Sequence, residues 1–160
     1  MEGTCGMTPR GRYRKEWART MKDTPILAPY PKKLEWGAGT FVCTAGDCIV
    51  LPSQDKDELL FTAGRLQQAA EDRLKLTMPL MVDKAGARRP AFAFERDAAL
   101  AEEAYALTIG SDGVRIRYAT GAAAFHAVST LKQLMLQCGR KLPCLTIEDA
   151  PDFRARGILY

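Results

Sequence analysis

The sequence predicts an α+β (α/β) layer, a mixed β-sheet with two amphipathic helices packed on one of its faces. Three observations carry this. Two stretches set apolar residues at helical spacing, Leu59-Ala63-Leu66-Ala70-Leu74 and Ala124-Val128-Leu131-Met135. Between them, AYALTIG-SD-GVRIRYA alternates apolar and polar residues on both sides of a turn. The other apolar runs are short and bounded by Pro or Gly, as strands are.

Residues 1–23 come first, crowded with Arg10, Arg12, Arg14, Lys15, Arg19 and Lys22 and interleaved with Tyr13 and Trp17. Such a stretch can contact phosphates and bases, but it carries no nucleic-acid-binding motif. The expectation is a basic, disordered leader, and Met21 offers an alternative start. From Thr24, TPILAPYPKKLEWGAGTF is too rich in Pro and Gly for a helix. It reads as an extended lead-in with turns at Pro29–Pro31 and Gly37–Gly39. Short strands are expected at about Phe41–Thr44 and Cys48–Leu51, closed by Pro52. Asp55 stands three residues before Glu58, the spacing of a reciprocal N-terminal cap. The first helix follows, with Arg65, Gln68, Glu71 and Asp72 falling mostly off its apolar stripe.

DKAGARRP is turn-rich, and AFAFE after it makes a short strand. In the hairpin, Tyr105, Leu107 and Ile109 share a face with Val114, Ile116 and Tyr118, while Arg115 and Arg117 point the other way. One face is therefore covered, and the other is wet or meets a neighbour that accepts charge. Ser111-Asp112-Gly113 supplies the turn. Thr120 caps a second helix over about Gly121 to Cys138, its stripe widened by Phe125 and Leu134. Gly139 and Pro143 stop it, and a last strand spans about Cys144–Glu148.

At 160 residues this is one domain by length, or one domain and a tail. Apolar residues make up 47% and charged residues 26%, ordinary for a globular chain. No run approaches the ~20 apolar residues of a membrane span, so no membrane partner is expected. The basic N-terminus lacks the apolar stretch of a secretory signal. A cytoplasmic chain is expected, with export of a longer parent left open. The five cysteines, Cys5, Cys43, Cys48, Cys138 and Cys144, form no C-x-x-C pair and fit no common zinc site. Reduced, partly buried thiols are expected, and a Cys43–Cys48 or Cys138–Cys144 bridge remains open if the parent is exported.

Little in the chain suits catalysis. His126 is the single histidine and sits within a helix, where a packed or surface role is the plain reading. Gly37 and Gly86 lack the strand–loop–helix context of a phosphate loop, and no cofactor is expected. Carboxylates neighbour one another at Asp55/Asp57/Glu58, Glu102/Glu103 and Glu148/Asp149. Paired carboxylates serve glycosidases, yet capping, a solvated strand start and a proline-containing turn account for these three.

The segments EAYALTIGSDGVRIRYATGAAAFHAVSTLKQLM and LPCLTIEDAPDFRARGILY, in that order, resemble the β-N-acetylhexosaminidases of glycoside hydrolase family 20. The likeness is to the N-terminal α/β domain that precedes the catalytic barrel. Thr130-Leu131 and Gln133-Leu134 match the family's helix, while Ala127 stands where glycine is commoner. Ile147, Asp149, Pro151, Phe153, Arg156 and Gly157 match the lead into the barrel. PYPKKLEWGAGTF is similar to the family's opening.

The resemblance implies an accessory domain over residues 24–152 and, at 153–160, a stub of the first strand of a (β/α)₈ barrel. It implies that the full-length enzyme releases terminal N-acetylhexosamines with help from the sugar's own acetamido group. The family's glutamate and aspartate that direct this chemistry have no counterparts in these 160 residues, so the chain alone is expected to be inactive and structural. One functional residue carries over, Arg156, which matches the arginine that binds the hydroxyls of the non-reducing sugar. The implied partners are the barrel of the same polypeptide and, through the whole enzyme, an amino-sugar glycoside. Exposed Ile158, Leu159 and Tyr160 would favour self-association. A standalone carbohydrate- or protein-binding module is the alternative, and nucleic-acid binding through the leader is disfavoured.

Overall fold

The computed structural model describes residues 24–83 and 90–152. The basic leader, residues 84–89 and Arg156 with the rest of the terminal stub lie outside them.

Seven strands make one mixed sheet: β1 (Lys33–Val42), β2 (Cys48–Leu51), β3 (Leu80–Val82), β4 (Pro90–Arg96), β5 (Tyr105–Gly110), β6 (Gly113–Tyr118) and β7 (Lys141–Asp149). Their order across the sheet is β1-β7-β5-β6-β4-β2-β3. β2 is parallel to β3 and β4, and β4 to β6, while β5 opposes both β6 and β7. Helix α1 (Lys56–Ala69) connects β2 to β3, and helix α2 (Gly121–Cys138) connects β6 to β7. The expected layer is present, a mixed sheet with two helices packed against it.

The hairpin sets the sheet's polarity. Tyr105, Leu107, Ile109, Val114, Ile116 and Tyr118 are all buried, and Arg115 and Arg117 are exposed on the far face. Against the buried face lie Leu59, Ala63, Leu66, Ala70 and Leu74 of the first helical segment and Ala124, Val128, Leu131 and Met135 of the second. α2 spans the expected residues, and Thr120 Oγ1 accepts from the Ala123 amide at 3.3 Å. Gly139, at φ 61, ends it in a conformation that costs a residue with a Cβ more than it costs glycine. α1 runs into one π turn, Ala70–Leu74. Arg140 closes that end from outside the helix, donating from Nε to the Leu74 carbonyl at 2.7 Å.

Several boundaries differ from expectation. The lead-in is strand from Lys33, and the glycines read as a turn lie instead within β1, at a register shift between Trp36 and Thr40. A bulge lets an edge strand absorb extra residues without leaving the sheet. β3 had no sequence signal, and β7 begins at Lys141, so Pro143, which lies beyond the helix as expected, falls inside the strand rather than ahead of it. Cys43 and Cys138 are free thiols, as is Cys144, so neither bridge left open forms. Burial pushes the Cys43 thiol up to about 12, with Asp47 adding to the shift and Arg140 opposing it.

Residues ahead of β1 are held along α2 by two glutamines one helical turn apart. Gln137 accepts from the Ile26 amide at 2.8 Å and donates to its carbonyl at 2.7 Å. Gln133 does the same for Ala28, at 2.9 and 3.0 Å. Each side-chain amide thus satisfies one peptide unit, as a neighbouring strand would.

Candidate functional site

Three places bring polar or exposed apolar side chains together, and each derives from how the helices are seated. The first is the end of the sheet where β4 and β6 finish and both helices begin. Parallel strands bring their C-terminal ends together there, which is where such sheets commonly carry ligands. Here the space is filled from within. The Asp55 carboxylate accepts from Tyr118 Oη at 2.7 Å and from Arg96 Nε at 2.8 Å. Glu58 accepts from Arg96 at 2.5 Å and, with its other oxygen, from the Gly121 amide at 2.5 Å. The expected reciprocal cap is therefore corrected: Asp55 makes no side-chain cap bond at its own helix, and Glu58 serves the N-terminus of the other. Burial alone would raise the Asp55 carboxyl, but hydrogen bonds from Arg96 and Tyr118 hold it below the ordinary value of 3.8. A carboxylate already occupies the helix dipole's positive end, so the cluster is a clasp rather than a vacancy.

The second place is a crevice of about 330 Å³ between the lead-in, α2 and the end of β7, whose lining includes His126, Tyr105, Thr130 and Asp149. Tyr105 Oη lies 2.7 Å from Thr130 Oγ1 and 3.5 Å from Asp149 Oδ2. Burial raises the Tyr105 phenol to about 12, so its hydroxyl stays protonated near neutral pH. His126 pairs with Glu103 at 3.7 Å at the surface. Asp149 also accepts from the Lys32 amide at 3.2 Å, and Lys32 Nζ meets Asp152 at 2.9 Å. Of the carboxylates picked out in the sequence, Asp55 and Glu58 thus meet at Arg96 in the clasp, Glu103 and Glu148 form ion pairs with His126 and Lys33, and Asp149 accepts from the lead-in. Among the described residues, no group of three metal-ligating side chains forms.

The third place is the outer face of the helical layer. Residues 61, 65, 68, 69, 72 and 73 form a second stripe along the first helical segment, and 125, 129, 132, 133 and 136 one along α2. The stripes flank a groove of about 470 Å³ that includes Arg65, Asp72, Arg73, Lys132 and Leu136. Large apolar side chains stand open beside it: Phe61 is 69% exposed and Leu136 58% exposed. Phe61 and Phe125 stack across the helices, centroids 6.4 Å apart and rings 10° from parallel. The Arg65 guanidinium lies over both, 5.9 and 5.1 Å from the ring centres. Sequence reasoning missed this face, although a second line of large residues at 61, 125 and 136 was available to find it.

The arrangement is a mixed sheet with a helical layer on one face, Asp55 and Glu58 committed to internal bonds, and an outer helical face that carries both large apolar and charged side chains. Residues 24–150 match the family described as glycosyl hydrolase family 20, domain 2, and the chain belongs to that family. It is 29% identical over 150 residues to a beta-hexosaminidase of Vibrio furnissii, covering 92% of this chain and 23% of that protein. In fold it is similar to the Flavobacterium johnsoniae chitobiase, with a TM-score of 0.69, 20% identity and coverage of 86% of this chain and 22% of the other. It is also similar to the family 20 exo-β-N-acetylglucosaminidase of Vibrio harveyi in complex with N-acetylglucosamine, with a TM-score of 0.66, 22% identity and coverage of 82% and 20%. This chain therefore spans about a fifth to a quarter of the length of these proteins.

Proposed function

We propose that this chain is the accessory α/β domain of a β-N-acetylhexosaminidase and that it buttresses the catalytic barrel of the same polypeptide. The barrel removes terminal N-acetylhexosamines by the substrate-assisted retaining route, and this domain contributes no catalytic group. The observation that carries the reading is the open outer face of the helical layer, with Phe61 and Leu136 large and exposed beside a formed groove. Patches of this kind mark interaction surfaces, and a barrel's outer helices would cover one well. The far face of the sheet is less suited, since Arg115 and Arg117 stand there in ion pairs with Asp112 and Asp97. Arg156 follows as the barrel's ligand for sugar hydroxyls, on the strength of its sequence motif and the several fixed donors of a guanidinium.

The test is hydrolysis of a chromogenic N-acetylglucosaminide. The pure 160-residue chain should stay at the level of a mock preparation, and the intact gene product should release the chromophore. Turnover by the short chain, or an intact product without turnover, would overturn the reading. Binding of a free sugar by the short chain would favour a standalone module instead.

A further inference from the structure

Arg65 is placed where a guanidinium has reason to seek a partner. It stands on the outer stripe of the first helical segment, and its head rests on Phe61 and Phe125. Nε is buried and has no hydrogen-bond partner among the described residues. An unsatisfied buried donor is costly, and native structures seldom leave one without a reason. The groove beside it is lined by three cations, Arg65, Arg73 and Lys132, and by Asp72, which already accepts from Gln68 at 3.1 Å. The floor and ends are apolar at Ala69 and Leu136.

We propose that this groove receives an acidic side chain from the catalytic barrel of the same polypeptide, with Arg65 as its anchor. The inference rests on the accessory-domain reading and adds the chemistry of the contact. A planar carboxylate suits a guanidinium already fixed by two rings, because little conformational freedom is left to lose on pairing. Pairing is strongest when the surrounding face is covered, and Phe61 and Leu136 supply exposed apolar surface beside the groove. Charge argues against the chain filling its own groove. Residues 84–89 and 153–160 contain no Asp or Glu side chain, and residues 1–23 are net basic. A second copy related by a two-fold axis would bring the same three cations face to face.

The experiment uses the intact gene product and carbodiimide, which joins a carboxylate to an amine in direct contact and adds no spacer. Peptide mass spectrometry should find Lys132 coupled to a barrel Asp or Glu. Arg65→Glu should lower that yield about tenfold and speed proteolysis between domain and barrel by about as much. Arg115→Glu, on the far face of the sheet, should change neither. Exchanging the coupled barrel carboxylate for Lys in the Arg65→Glu background should restore the resistance to proteolysis, with carbodiimide now joining the introduced carboxylate to the introduced amine. Arg65→Met keeps the stem against the rings and removes the charge, so it decides the matter should the glutamate variant fail to fold. Lys132 coupled only within its own domain or to a second copy overturns the proposal, as does an unchanged Arg65→Met protein. A gene product whose mass leaves no room for a barrel overturns the accessory-domain reading itself, and mass alone distinguishes that failure.

Discussion

Tyr118 donates its phenolic hydroxyl to Asp55 Oδ2 at 2.7 Å, joining residues 63 positions apart in the chain. The bond ties the end of β6 to the start of α1, and Arg96 brings β4 to the same oxygen. Asp55→Asn should keep the side-chain volume and lose the charge that Arg96 meets. We expect a loss of about 2 kcal/mol in unfolding free energy, the scale of a hydrogen bond to a charged group. Chemical denaturation at neutral pH measures it.

The same residue sets a pH dependence. Its folded carboxyl titrates below the ordinary 3.8, so the unfolded chain binds the proton first as pH falls. The stability it contributes is complete well above 3.8 and drains away as pH drops through the lower, folded value. The gap in stability between the parent and Asp55→Asn should therefore narrow in acid, a trend read from denaturation at pH 7 and at successive steps below pH 4. A constant gap would mean that the charge is not what Arg96 and Tyr118 hold.

Leu131 is fully buried where α2 meets the sheet. Leu131→Ala should cost about 3 kcal/mol, since methylene burial is lost and a close-packed site relaxes only in part. Leu136→Ala, on the open face of the same helix, should cost the isolated chain well under 1 kcal/mol. Thermal unfolding of the pair separates the two faces of one helix.

Gly39 holds φ at +92 within β1, while a Cβ built there meets nothing nearer than Cys144 Sγ at 3.9 Å. Space is therefore not the constraint. Gly39→Ala should still destabilise by about 1–2 kcal/mol through backbone strain alone. Urea denaturation of the variant measures the cost.

Cys43, with a thiol raised to about 12, should resist alkylation at pH 8 in the folded chain. Unfolding in urea should expose it to rapid labelling, read as a mass shift on its peptide.

The elements that were legible in the sequence are those whose burial alternates. The hairpin and both helices each bury one apolar stripe, and β6 and the helices expose residues between its members, so spacing alone located them. β1 gave no such signal, because seven of its first eight residues are exposed and the other is only partly buried. An edge strand owes its place to the neighbour's backbone, which leaves little trace in side-chain pattern. Asp55 and Glu58 carried the local spacing of a cap, but stronger partners came from Tyr118, Arg96 and Gly121, remote in sequence. Phe125 was visible only as widening an apolar stripe, and its pairing with Phe61 and Arg65 depends on how the two helices lie together.

The irregularity in β1 also bears on how the protein keeps its own company. Its paired residues fall into two short runs, Lys33–Trp36 and Thr40–Val42, separated by the shift at the glycines. A continuous ten-residue border would offer a long template for a stranger's backbone to zip onto, the first step toward aggregation. Broken in the middle, the border offers no uninterrupted ladder to copy, so the sheet can be wide without being sticky along this side.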